Sequence, residues 1–190
     1  MTVRPLRADA CRNRDRLIEV AATTFAERGV NASLEEVAKR AGVGIGTLYR
    51  HFPTRDALIE SVYRLEVEHL CDSSIELLQT RPPDEALAEW MQRFVAYVAT
   101  KRGLAMALKS MISADSDLFA YTHLRVRTAI SSLVEAGISS GRIRADVDPE
   151  DLLRALSGVC MVTDQPGWQQ QACRISGLLM DGLRYGAAQA

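Results

Sequence analysis

AGVGIGTLYRHF, residues 41–52, places three glycines in front of a packed run of hydroxyl, aliphatic, aromatic and basic side chains. Glycine is a poor helix former. The pattern therefore asks for a turn followed by a short helix from which bulk has been removed. Upstream, NASLEEVAKRAG (31–42) reads as a short helix opened by an S-x-x-E capping box of Ser33 and Glu36. Its buried stripe is Leu34, Val37, Ala38 and Ala41, and Gly42 stops it with a left-handed turn that a side chain would oppose. A second helix follows over about 45–52, anchored from below by Val43, Leu48 and Phe52, with Leu48 and Phe52 four apart on one face. Two short helices across a glycine turn predict a helix-turn-helix.

At about 100° per residue, Gly46, Tyr49 and Arg50 lie opposite the Leu48/Phe52 stripe, with Ile45, Thr47 and His51 at its margins. Gly44 and Gly46 thin the N-terminal end of a helix that enters the major groove, at a propensity cost of about 1 kcal/mol each. Tyr49 and Arg50 are then placed to reach bases, while Thr47, His51 and Arg55 suit phosphate oxygens. Arg12, Arg14 and Arg16, just upstream, serve either as phosphate contacts or as an ordinary solvated helix start.

The rest of the chain is also helical in pattern. Of 190 residues 47% are hydrophobic, which supports a real core, and the frequent Ala, Leu, Arg and Glu with few aromatics favour helix over strand. NRDRLIEVAATTFAERG predicts a first amphipathic helix, with Leu17, Ile18, Ala21, Ala22 and Phe25 inward and Gly29 at its end. Thr54 caps a long helix from about 55 towards Gln79, which RPPD breaks. Asp84 caps a further helix ending near Lys101 to Gly103, and residues 104–112 form a short apolar helix of their own. Another runs on to SSGR at 139–142. Asp148 then caps a helix with Pro149 in its first position, and TDQPG (163–167) separates it from a last helix. The expected total is about nine helices in an all-α fold.

Residues 1–56 carry 10 Lys and Arg against 7 Asp and Glu, and residues 57–190 carry 13 against 17, so a head of +3 sits on a body of −4. That asymmetry suits a head that meets a polyanion. Cys11, Cys71, Cys160 and Cys173 are far apart and match no zinc spacing, so free thiols are expected and neither metal nor cofactor is called for. There is no run of membrane-span length and no signal-like N-terminus, which points to a cytoplasmic protein with no membrane partner.

Residues 14–60, with FAERG, EVAKRAGV, GTLYRHF and the start of the fourth helix in order, resemble the DNA-binding domain of TetR-type bacterial transcriptional regulators. The resemblance implies a recognition helix at 45–51. It places base contacts at Ile45, Gly46 and Tyr49, phosphate contacts at Thr47, Tyr49, His51 and Arg55, and leaves Arg50 at a variable position suited to operator choice. Two departures stand out. Gly44 occupies a position that is Ser in many members, and Arg55 replaces the usual Lys.

The same resemblance implies a helix-turn-helix domain over 1–54 and an effector-binding and dimerisation domain over 55–190. Trp90, Phe94, Tyr97, Met106, Met111, Phe119, Tyr121 and His123 are the candidate lining of an effector pocket, although such stripes serve equally as plain core. The last two helices, rich in Leu and Gly, are the candidate homodimer interface or, alternatively, pack only within the chain. The expected function is a repressor that binds a palindromic operator in double-stranded DNA as a homodimer and is released by a small-molecule effector. A helical protein-interaction module and a cysteine-based redox regulator are the rivals; no Ser/His/acid arrangement or phosphate-binding loop points to an enzyme.

Overall fold

The helical periodicity along the chain is met by eight α-helices, with no strand among the described residues of the computed structural model. It describes residues 4–29, 31–111, 117–161 and 166–187, with side chains from residue 10 onward except at 105–107, 109–111 and 117–119. The helices are α1 (Arg4–Arg28), α2 (Leu34–Arg40), α3 (Ile45–His51), α4 (Arg55–Thr80), α5 (Pro83–Met111), α6 (Asp117–Ser139), α7 (Pro149–Met161) and α8 (Trp168–Arg184). The all-α expectation holds, and eight replaces nine for one reason: α5 runs unbroken through the 101–103 stretch read as a stop. Gly103 there has ordinary helical backbone and open space around it, so it weakens the helix by roughly 1 kcal/mol without ending it. At the other end of the chain, α1 begins nine residues earlier than NRDR, at Arg4.

Several punctuation signals act as read. The Thr54 hydroxyl accepts the Ala57 amide at 3.1 Å, and the Asp148 carboxylate accepts the amides of Glu150 (2.6 Å) and Asp151 (3.3 Å). The capping box acts differently. Ser33 Oγ accepts the Glu36 amide at 3.4 Å, but the Glu36 carboxylate turns to Arg28 at 2.8 Å and Ser33 donates to Glu35 at 2.6 Å. Ser33 thus caps α2 without the reciprocal Glu36 bond, whereas Asp84 is no cap at all. Pro83 takes the first position of α5, the Pro82 carbonyl accepts the Ala86 amide, and Asp84 lies one residue inside.

The chain forms two compact units, Met1–Glu66 with Thr100–Asp115 and Val67–Ala99 with Ser116–Ala190. In the first, Leu17, Ile18, Ala21 and Phe25 of α1, Leu34, Val37 and Ala38 of α2, Leu48 of α3 and Leu58, Ile59 and Val62 of α4 are buried. α2 and α3 depend on this core, because helices of seven residues are far too short to persist alone.

The second unit is built around Trp90, fully buried, whose Nε1 donates to the Leu70 carbonyl of α4 at 2.9 Å. Phe94 stacks on it with centroids 5.7 Å apart, and Tyr97 follows at 5.9 Å. Asp84 fastens three parts of this unit: its buried carboxylate accepts from Arg142 at 3.0 Å, after α6, and from Arg184 at 2.8 Å, at the end of α8. Burial works against the charge, but the Arg184 and Arg142 guanidiniums overcome it and hold the carboxyl below the usual aspartate range. The end of α6 is closed by Gly141 (φ 68°), with the Gly141 amide on the Ile138 carbonyl and the Arg142 amide on the Gly137 carbonyl, both 3.0 Å, a Schellman motif. There Ile143 folds back onto Gly137. A Cβ on Gly137 would fall 2.8 Å from Ile143 Cγ1 and closer still to its Cδ1.

Candidate nucleic-acid interface

The turn between α2 and α3 is a second Schellman motif. The Gly42 amide donates to Lys39 (3.1 Å) and the Val43 amide to Ala38 (3.0 Å), with Gly42 at φ 71° in the left-handed region. Gly42 is thus required by the backbone. Gly44 and Gly46 are not: neither has a positive φ, and a Cβ on either would meet nothing within 4 Å. Gly44 is the N-cap of α3 and supplies no side-chain cap.

Leu48 is fully buried and Phe52 nearly so, and they turn the rest of α3 outward as the 3.6-residue period requires. Gly46, Tyr49 and Arg50 are exposed, Tyr49 at 46%, while Ile45, Thr47 and His51 are half-buried at the margins. Among the described residues, no hydrogen bond or ion pair engages the Tyr49 hydroxyl or the Arg50 guanidinium. Three other cations nearby have intramolecular duties. Arg28 pairs with Glu36, and Arg40 binds Thr24 (3.0 Å) and Glu27 (2.8 Å). Hydrogen bonding by Arg40 lowers the Glu27 carboxyl, and Glu27 in turn raises Arg40. Arg55 is half-buried and donates to the Ala32 carbonyl at 2.7 Å, bracing the loop before α2.

The arginines of α1 are more specific than their sequence context conveys. Arg14 lies with Cζ 5.4 Å from the Phe52 ring centroid, and Arg16 brings its guanidinium to 3.7 Å from the place a Gly42 Cβ would occupy. Sequence reasoning left both between phosphate and solvent; for Arg14 the signal it could have used is that residues 14, 18, 21 and 25 share one helix face.

The residues expected to line an effector pocket are dispersed in character. Trp90, Phe94 and Tyr97 form the buried stack of the second unit, whereas Tyr121 and His123 are exposed on α6. The side chains of Met106, Met111 and Phe119 lie outside the described residues. All four cysteines are free, and burial pushes the Cys71 and Cys173 thiols up.

Residues 17–62 match the profile of the family described as bacterial regulatory proteins, tetR family, and residues 82–185 match the profile of the transcriptional regulator SbtR-like C-terminal domain. The chain is 42% identical to the TetR transcriptional regulator SCO0520 of Streptomyces coelicolor, with a TM-score of 0.82 over 92% of this chain and 99% of that one. It is 37% identical to a TetR transcription regulatory protein of Mycobacterium vanbaalenii, with a TM-score of 0.76 over 95% and 99% of the two chains. It is also 28% identical, over 78% of this chain and 76% of the other, to the HTH-type transcriptional repressor KstR2 of Rhodococcus jostii. These matches cover both the helix-turn-helix and the helical body that follows it, and the chain belongs to the TetR family of DNA-binding bacterial transcriptional regulators.

Proposed function

We propose that the protein is a ligand-released repressor that binds a palindromic operator as a homodimer. The observation that carries this reading is the outer face of α3, where among the described residues Tyr49 and Arg50 have no hydrogen-bond or ion-pair partner and a Cβ on Gly44 or Gly46 would meet open space. In the major groove Ile45, Gly46, Tyr49 and Arg50 meet base edges, while Thr47, His51 and Arg55 meet phosphates. Residues 1–54 form the DNA-reading domain, and 55–190 sense the effector and dimerise. The similarity to a named repressor supports repression over activation.

Dimerisation through α7 and α8 is supported by large apolar side chains that face solvent in the single chain: Met161 at 79%, Leu178 at 70% and Tyr185 at 83%. Ala155, Gly158 and Gly182 are also exposed on these helices, and such small residues allow helices to approach closely. One seven-residue helix reads too few bases to select a site, whereas two copies match a palindrome with half-sites about one helical turn apart. The aromatic stack of Trp90, Phe94 and Tyr97 is the proposed wall for an apolar small-molecule effector. Binding there shifts the dimer to a shape in which the two recognition helices no longer fit successive grooves. No helix among the described residues is long and apolar enough to cross a membrane, and the protein acts on DNA in the cytoplasm without enzymatic turnover.

The test is operator binding at several salt concentrations, with and without candidate ligands. A DNA reader loses affinity steeply with salt. A flat salt response rejects the interface, and a ligand that binds the body tightly yet leaves DNA affinity unchanged at every salt rejects the coupling.

A further inference from the structure

Arg14 stands where a hydrophobic residue would be expected. Positions 14, 18, 21 and 25 lie on one face of α1, and Ile18, Ala21 and Phe25 are all buried there. Arg14 continues that stripe towards the N-terminus with an aliphatic stem and a charged end, the way a long cation covers apolar surface. Its guanidinium sits over the Phe52 ring at 5.4 Å, and its Nη2 reaches Ser61 Oγ of α4 at 3.5 Å. Phe52 is the C-cap of α3, its amide closes the helix on the Leu48 carbonyl at 2.8 Å, and its ring lies 6.3 Å from that of His51. One side chain of α1 therefore touches the C-cap of α3 and the second turn of α4.

α3 begins at a glycine cap with no side-chain hydrogen bond and has glycine again in its first turn, so its N-terminal end is intrinsically weak. Its pose depends on what holds the other end. Leu48 and Phe52 supply that hold, and the Arg14 cation, exposed to solvent on its outer side, adds a modest contact over the Phe52 face. We propose that Arg14 is a positioning residue of the recognition helix, fixing its C-terminal turn through Phe52, and that it is not a phosphate ligand. This rests on α3 being the DNA-reading helix.

A phosphate ligand and a positioning residue differ in one readout. Removing a phosphate contact flattens the dependence of log K on log salt by about 0.9 and weakens binding to any duplex alike, whereas misplacing α3 weakens the selected sequence and leaves the slope alone. The experiment uses the full-length chain, a duplex selected by that chain from a randomised pool, and a mixed-sequence duplex, with fluorescence anisotropy over a salt series. For Arg14→Met the selected duplex is bound about 5- to 30-fold more weakly, the range that an exposed cation over a ring supports when both protomers of the dimer lose it. The slope and the mixed-sequence affinity stay put, and Arg14→Lys recovers part of the loss.

Phe52→Leu completes a double-mutant cycle that remains informative if Arg14→Met itself loosens the head. Once the ring is gone, Arg14→Met costs little more, because its target is already absent. A slope reduced by about two phosphate contacts, one from each protomer, equal losses on both duplexes, no loss at all, or additive losses in the cycle each overturn the proposal while leaving the DNA-binding reading intact. If the wild-type chain retains no duplex from the pool, the reading of α3 falls first and this proposal with it.

Discussion

Replacing Gly46 by alanine should make the protein more stable and a worse DNA binder. Gly46 is the second residue of α3, has no positive φ, is exposed, and would place a Cβ in space with no atom within 4 Å. The new methyl therefore costs nothing sterically in the free chain and reduces the backbone entropy lost on folding. The gain is about 0.5–1 kcal/mol, towards the lower figure because the site is in the first turn. Against a duplex the same methyl occupies the gap through which α3 approaches base edges. If it behaves like an extra carbon forced into a packed interface, it costs about 1–3 kcal/mol, or roughly 5- to 150-fold in Kd. Urea denaturation followed by circular dichroism reads the first effect, and anisotropy on the selected duplex at fixed salt reads the second. An alanine variant that binds as tightly as the parent refutes the argument that this glycine makes room for DNA. One that is less stable than the parent refutes the open geometry itself.

Three further outcomes follow from other sites. Gly42→Ala, forced to φ 71°, should lose about 1–2 kcal/mol of stability, and Gly42→Asn less, because Asn tolerates the left-handed region; urea midpoints of the pair check the order. Asp84 has a folded pKa below its unfolded value, so its contribution is present above about pH 4 and is lost as pH falls through the folded pKa. Asp84→Asn should accordingly cost about 1.5 kcal/mol at neutral pH, the low end for hydrogen bonds to charged groups because Arg142 and Arg184 are half-exposed, and the gap to wild type should close in acid denaturation curves. Leu178→Glu should convert dimer to monomer in sedimentation analysis and weaken operator binding with it. A dimer that survives this change does not use the exposed face of α8.

What was legible in the sequence is what short-range chemistry decides. Thr54 and Asp148 read as caps because a cap needs only the next three residues, and Gly42 read as a left-handed stop because the turn is closed by its own neighbours. The outward set on α3 followed from two buried positions four apart and a fixed period. Asp84 was misread because its partners, Arg142 and Arg184, are 58 and 100 residues away, and nothing local distinguishes a cap from a buried ion pair. Gly103 was read as a break because propensity alone penalises it, whereas the helix continues through it at a tolerable cost. Phe52 was recognised as an anchor, but the cation covering it comes from a residue 38 positions earlier in the chain.

The contact between Gly137 and Ile143 makes two positions behave as one. Bulk added at 137 has nowhere to go while the isoleucine is present, and trimming residue 143 to valine removes the outermost carbon but leaves a branch carbon at the β position. A cut to alanine at 143 removes both of the closest carbons and leaves only its own Cβ, at 3.2 Å, as a tight neighbour. Among relatives that retain this corner, side-chain sizes at the two positions should vary inversely, so an alignment of natural variants would carry the imprint of a single steric pair.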